Sequence, residues 1–325
     1  MGRVAITDGM DKKSVERLIE AGHDVVQEHY EISQLREGAL KNYDAVIIRS
    51  ATKIDRDVIE SSVTDSGGIG FIGRAGVGVD NIDIAAATEN GIIVCNTPGA
   101  STQSVAELTI GHLISSTRHI TTADSKLKSG EWGKKYLRGT ELGGKNLGLI
   151  GYGRIARKVA IFANALGMRV HAFDPYVELS PAEASNCIMH KQIDDVFKNC
   201  THISLHCNLT LETAHLVNSR RISLMPGIGA DGIECGNHIV NCSRGGIVDE
   251  EAAQEALENG DLASLALDVY ENEPLGNSPL LQIEGFHGTP HIAASTLEAQ
   301  ARIGNEMVDL LLEYMQGHKP KTSIN

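Results

Sequence analysis

Nothing in these 325 residues approaches the run of about 18 apolar side chains that a membrane-spanning helix requires. Positive charge is also scarce. Lys and Arg number 29 against 42 Asp and Glu, and the net charge is −13. Nucleic acids and anionic membranes are bound through excess Lys and Arg, so neither is an expected partner. A small anion held by a local basic cluster is not excluded. Aromatics make up 4% of the chain, with one tryptophan, Trp132. The six cysteines (Cys95, Cys187, Cys200, Cys207, Cys235 and Cys242) form no C-x-x-C pair, which removes the usual spacing of a structural zinc site or redox dithiol. Met1 leads almost at once into the strand-like Val4-Ala5-Ile6, so we expect reduced thiols in a cytoplasmic protein. The sequon Asn208-Leu209-Thr210 would then be idle.

What the chain has in quantity is glycine, 34 residues, and the most informative of them lie in 146–174. Asn146–Ile150 is a short apolar run that reads as a buried strand. Gly151-Tyr152-Gly153-Arg154-Ile155-Ala156 follows directly, then Val159, Ala160, Ala163 and Leu166 at helical spacing, and Gly167 as a stop. Met168–Phe173 is a second strand with Asp174 at its end. Strand, glycine turn, helix, strand and acid are the βαβ context of a dinucleotide fingerprint. Gly151 permits the tight turn, Gly153 lets a pyrophosphate approach the backbone, and the helix start offers unpaired N–H groups. Ala156 still allows close packing of helix on strand. Asp174 suits an adenosine ribose 2′-OH and repels a 2′-phosphate. No Arg follows it, so the expected cofactor is NAD rather than NADP. The competing reading is a plain strand-to-helix turn in another doubly wound sheet.

Residues 1–94 alternate strands (Val4–Thr7, Asp24–Val26, Ala45–Arg49, Ile69–Arg74, Ile92–Asn96) with helices, the first from Asp11 to Ala21 with Val15, Leu18 and Ile19 inward. Long helices are expected over Thr102–His119 and Ile292–Met315, as connectors between two domains. The segment 120–143 reads as polar and irregular, either a surface loop or an arm that packs Trp132 on a second subunit. Further strands are expected at Thr201–Cys207, His238–Cys242, Ala263–Val269 and Gly285–Thr289. The fold class is therefore α/β, two doubly wound parallel-sheet domains, with a Rossmann-type NAD domain (98–295) inserted in a smaller flavodoxin-like substrate domain (1–97 and 296–325). The glycine-rich stretch 226–237 enters a strand, so it belongs on the rim away from ligands and receives no catalytic role. His202 and His206 lie on a strand pattern, not on one helix face, and no metal is expected.

Three segments leave the carboxyl ends of expected strands: Asn241–Asp249 with Arg244, Leu267–Pro274 with Glu273, and Thr289–Thr296 with His291. Beside NAD, such a set suits oxidation of an alcohol next to a carboxylate. His291 would take the hydroxyl proton, Glu273 would fix its tautomer, and Arg244 would clamp the substrate carboxylate. Each residue also has a bland reading as surface ion pair, solvated loop acid or packing histidine. Order and strand-end placement favour the joint one.

At this point the residues resemble a known family. Arg49–Lys53, Gly73–Asn81, Asn96–Glu107, Gly139–Leu142, the glycine turn and the Arg244, Glu273 and His291 segments run in the order found in D-isomer-specific 2-hydroxyacid dehydrogenases, most like the branch that oxidises phosphoglycerate. The resemblance implies Arg244, Glu273 and His291 as the catalytic set. It implies NAD contacts at Gly151, Gly153, Arg154, Ile155, Asp174, Cys207, Cys242, Ser243, Asp268 and Ala294. It implies that amides of Gly76, Val77 and Gly78 hold the substrate carboxylate, with Arg49 and Arg74 near a phosphate. Lys53 is close in sequence, and Lys134, Lys135 or Arg138 could reach in from a partner. Val77 and Cys207 stand where that branch often carries threonine. The chain ends soon after its return helix, so the serine-binding domain of longer relatives, and feedback inhibition through it, are expected to be absent. The implied reaction is oxidation of 3-phospho-D-glycerate to 3-phosphooxypyruvate, the entry to serine synthesis, by a homodimer. The alternatives are another D-2-hydroxyacid (glycerate, lactate, 2-hydroxyglutarate) or an NAD-sensing co-repressor that uses the fold without turnover.

Overall fold

The computed structural model describes residues 2–64 and 67–325. Its main strands are β1 (Arg3–Ile6), β2 (Asp24–Gln27), β3 (Ala45–Ile48), β4 (Phe71–Arg74), β5 (Ile93–Asn96), β6 (Asn146–Ile150), β7 (Arg169–Phe173), β8 (Cys187–Met189), β9 (His202–Leu205), β10 (His238–Asn241), β11 (Ser264–Leu267) and β12 (Phe286–Gly288). The helices are α1 (Lys12–Glu20), α2 (Ile32–Arg36), α3 (Arg56–Ser62), α4 (Ile84–Glu89), α5 (Thr102–Arg118), α6 (Ile120–Lys128), α7 (Arg154–Ala165), α8 (Pro181–Ala184), α9 (Ile193–Asn199), α10 (Ser219–Ile222), α11 (Glu250–Asn259) and α12 (Leu297–Met315).

The chain divides into two compact units, Met1–Thr102 with Ala294–Asn325, and Gln103–Ala293. The first holds a five-stranded parallel sheet in the order β2-β1-β3-β4-β5. This is the flavodoxin-like order, whose strand direction of growth reverses beside β1. Its apolar strands Ala45–Ile48 are buried throughout, because helices cover both faces. One face packs Val4, Ile6, Phe71 and Cys95 against α12 residues Ile303, Met307, Val308 and Leu311. On α1, Val15 and Leu18 are buried, but Ile19, expected inward, is 55% exposed. The helix buries only the narrow stripe that reaches α12, where Gly304 lies against Ser14 so closely that a Cβ would stand 2.3 Å from its Oγ.

The second unit holds a seven-stranded parallel sheet in the order β8-β7-β6-β9-β10-β11-β12, the Rossmann order, with its switch point between β6 and β9. Several short elements escape the sequence reading, among them β8, α6, α9 and α10. β8 is a three-residue edge strand, and α6 turns the first part of the segment 120–143 into a helix with no buried residue. In α6, only Ile120, Ala123 and Leu127 recur at helical spacing, a sparse pattern among polar neighbours. The 226–237 stretch folds as a small hairpin closed by an antiparallel bridge between Ile228 and Glu234, on the amino-end side of β10. Its Asp231 reaches back 2.7 Å to the ammonium of buried Lys145, a charge that needs a partner where it lies. His202 is buried in β9 and stacks on His238 of β10, with ring centroids 4.5 Å apart.

Candidate active site

The glycine turn leaves β6 at the switch point of the second sheet. Gly151 has φ +86°, and a Cβ there would stand 2.6 Å from the His206 carbonyl at the end of β9, so only glycine fits. Gly153 is the N-cap of α7 and supplies no capping side chain. The first-turn amides of α7 therefore lack the usual local acceptor. A Cβ on Gly153 would meet nothing within 4 Å, so this cradle is free of protein atoms. Open helix amides beside an empty cradle fit a pyrophosphate. Asp174, at the end of β7, accepts from the amides of Tyr152 (2.8 Å) and Tyr176 (2.9 Å), which orients its carboxylate over the turn. Cys207 is partly exposed beyond β9. Cys242 is buried, and burial followed by the charge of Asp268 pushes its thiol up to about 12. It offers backbone, not thiolate, to a ligand. Ser243 hydrogen-bonds through its amide and hydroxyl to Asn241, bracing the turn out of β10.

The next three loops leave β10, β11 and β12, which are neighbours in the sheet. His291 Nδ1 lies 2.7 Å from Glu273 Oε2. A carboxylate only accepts, so Nδ1 donates and Nε2 carries the lone pair. The other carboxylate oxygen, Oε1, accepts from the Tyr270 amide at 3.1 Å, so the Glu273 side chain is held at both oxygens. Burial pushes the Glu273 carboxyl up. The bond and charge of His291, the Tyr270 amide and the Arg244 guanidinium outweigh it and hold Glu273 below its usual range. Arg244 donates through Nη1 to the carbonyl of Ser243 at 2.6 Å. At Gly245 a Cβ would overlap the Tyr270 carbonyl, so the Arg244 and Glu273 loops meet backbone to backbone.

His291 adopts φ +52°, a left-handed conformation that costs about 1–2 kcal/mol for a side chain of its kind. Asp268 explains how it persists. Its fully buried carboxylate accepts from the Thr289 hydroxyl (2.6 Å) and from the amides of Ile292 (2.8 Å) and Ala293 (2.9 Å), bracketing His291. Tyr270 adds a second tie, its hydroxyl donating at 3.1 Å to the carbonyls of Leu267 and Thr289. The sequence reading missed Tyr270. The only signal it offered is an aromatic set between acids in Asp268–Glu273.

The first unit carries a separate anion-suited rim. Arg49 and Arg74 leave the carboxyl ends of adjacent strands, with Ile48 paired to Arg74 in the β3–β4 register. Buried Asp8 pins the first loop by accepting from the amides of Arg49 (2.7 Å) and Thr52 (3.0 Å). The Arg49 guanidinium has no ion-pair partner among the described residues. Gly76 has φ +150°, and a Cβ there would overlap Nη1 of Arg74, so this guanidinium lies directly on the Gly76 backbone. The carbonyls of Gly76 and Val77 are taken by Thr97 and Asn96, while the amides of Val77 and Gly78 have no acceptor among the described residues. Such unspent amides suit an anion. Ala294 is the first residue of this unit's second segment, and its carbonyl accepts from Gln300.

Residues 110–293 match the family described as "D-isomer specific 2-hydroxyacid dehydrogenase, NAD binding domain". The chain belongs to the D-isomer specific 2-hydroxyacid dehydrogenase family. It carries the NAD-binding domain of that family. It is 40% identical over its whole length to D-3-phosphoglycerate dehydrogenase of Methanocaldococcus jannaschii, of which it covers 60%. It is 41% identical over 96% of its length to hydroxypyruvate reductase of Thermotoga maritima, of which it covers 97%. The chain thus spans about three-fifths of the length of its phosphoglycerate dehydrogenase relatives. Among solved structures it resembles D-lactate dehydrogenase from Aquifex aeolicus complexed with NAD and lactic acid, with TM-score 0.83, 27% identity and coverage of 97% of this chain and 96% of that one. No helix among the described residues is long and apolar enough to cross a membrane.

Proposed function

We propose that the chain oxidises 3-phospho-D-glycerate to 3-phosphooxypyruvate, with Arg244, Glu273 and His291 as the reacting set, in the supply of a serine precursor. Bound NAD supplies the hydride acceptor. His291 Nε2 takes the hydroxyl proton, because Glu273 already occupies Nδ1 and stabilises the imidazolium that forms. Arg244 fixes the substrate carboxylate and polarises the adjacent oxygen. Gly153, Arg154 and Ile155 hold the pyrophosphate, Asp174 the adenosine ribose, and the backbone near Cys207, Cys242, Ser243 and Ala294 the remainder of the cofactor. The Val77 and Gly78 amides suit the substrate carboxylate, and Arg49 and Arg74 the phosphate.

The observation that carries the phosphorylated substrate is the cationic rim. The Arg49 guanidinium, with no ion-pair partner among the described residues, stands at a strand end adjacent to that of Arg74, whose guanidinium lies on Gly76, and two guanidinium groups suit a doubly charged phosphate. A second reading is favoured by the full-length similarity to a hydroxypyruvate reductase. D-Glycerate, the product of that reduction, differs from 3-phospho-D-glycerate by the phosphoryl group alone. Kinetics on both substrates decides. Arg74→Ala should lower kcat/KM for 3-phospho-D-glycerate by about 100-fold, the scale of a lost charge-assisted bidentate contact, and for D-glycerate far less. A wild-type preference for D-glycerate, or equal losses on both, would replace the proposal with the second reading.

We infer also that the segment from α6 to Arg138 packs on a second copy of the chain. It exposes Leu127, Trp132 (77%) and Tyr136, large apolar groups that a soluble surface seldom leaves together.

A further inference from the structure

Three loops after β9, β10 and β11 converge on His215, a residue outside every motif that marks the family. Its backbone amide donates to the Gly246 carbonyl at 2.8 Å, just beyond Arg244. Two residues on, Val217 pairs with Val248, through Val217 to the Ile247 carbonyl (3.0 Å) and Asp249 to the Val217 carbonyl (2.9 Å). The imidazole then spans the loops. Nε2 lies 3.1 Å from Glu271 Oε1, on the Glu273 loop, and Nδ1 lies 3.7 Å from Asp249 Oδ2, the N-cap of α11. Glu271 is locked further by a reciprocal pair. It accepts from the Glu250 amide at 3.1 Å, while Glu250 accepts from the Glu271 amide at 2.7 Å. His215 also holds φ +46°, a left-handed conformation that glycine would adopt at lower cost.

The three ligand atoms of His215, Asp249 and Glu271 lie within 4.8 Å of one another, close enough to suggest a cation. However, the two ring nitrogens face different carboxylates, and one imidazole cannot give both to one ion. The geometry is that of a bridge.

We propose that His215 is a positioning residue for the reaction, a clasp that holds the Arg244 loop and the Glu273 loop in register through Asp249 and Glu271. This rests on the reading of Arg244, Glu273 and His291 as the reacting set. The groups facing the clasp are Asp249 and Glu250 from the start of α11, Glu271 and Glu273 from the loop after β11, and beyond them Arg244 and His291. Burial and the neighbouring charges of Glu271 and Glu273 raise the Glu250 carboxyl, whereas Glu273 is held low. The clasp residues His215, Asp249 and Glu271 make no hydrogen bond or ion pair with the glycine turn among the described residues.

The test is a double-mutant cycle on the full chain with His215→Ala, Glu271→Ala and the pair, read by kinetics and by hydrogen exchange. Each single variant should lower kcat about tenfold, leave the KM for NAD unchanged, and show no further loss in the pair, because one clasp is broken either way. His215→Gln keeps a donor for Glu271 and should recover most of the rate, which general loss of packing would not allow. In exchange, both 243–250 and 269–274 should open faster in His215→Ala, with 151–156 unchanged. Additive losses, a raised KM for NAD, or unchanged exchange in the two loops would overturn the clasp. Exchange is read without turnover. A wild-type chain inactive on every hydroxyacid, with both loops loosened in the variant, would sink the function and keep the clasp.

Discussion

At the scale of single residues, the proposed reaction depends on one imidazole with two different nitrogens. Glu273 occupies Nδ1 of His291, which leaves Nε2 as the proton acceptor in that proposal. His291→Ala should therefore lower kcat by about 10³-fold, within the usual range for a lost general base, while the Kd for NAD measured by calorimetry stays near wild type. A variant that keeps its turnover would remove His291 from the base role. The residue types of the three loops could be read from the sequence, because Arg, Glu and His each follow a strand end. What holds His291 in its left-handed turn could not. Asp268 reads in sequence as one more acid near the cofactor. Only the folded loop shows both its oxygens committed to Thr289, Ile292 and Ala293. Its value depends on three partners more than twenty residues away.

At the scale of elements, periodicity worked where one face is buried and failed where none is. β3, β6 and α7 stand where apolar spacing placed them, and α7 buries Ala156, Val159, Ala160 and Ala163. Ile19 was misread because α1 meets a single partner helix, and its stripe is too narrow to take three apolar side chains per turn. α6 was invisible because its apolar groups, Ile120 and Leu127, face outward within this chain. That same exposure argues for a second copy as the missing partner. Trp132→Ala with Leu127→Ser should shift the chain from dimer toward monomer in sedimentation at micromolar concentration. A wild-type chain that sediments as a monomer would refute this use of the segment.

At the scale of the whole molecule, the histidines are unevenly placed. His112, His171 and His238 are buried in the second unit, and burial, with neighbouring His or Arg charge adding to it, pushes each down to about 4. His202, stacked on His238, is also lowered. An unfolded histidine titrates near 6.5, so between about 6.5 and 4 the unfolded state binds more protons than the folded one. Their stabilising contribution is complete above 6.5 and is lost as pH falls toward 4. The second unit should thus melt at lower temperature from pH 6.5 to pH 4.5, with amides of β9 and β10 losing protection before those of β3 and β4 in the first unit. Equal acid sensitivity in both units would contradict this. By itself, the sequence determined the alternation of strands and helices, the glycine turn with its acid, and the chemistry at the strand ends, because these are local patterns of spacing and side-chain type. Strand order, the fixing of His291 by Asp268, the clasp at His215 and the neutral buried histidines were decided only by tertiary structure. Each is a contact between segments far apart in the chain, and its energy comes from desolvation and geometry that no stretch of residues carries alone.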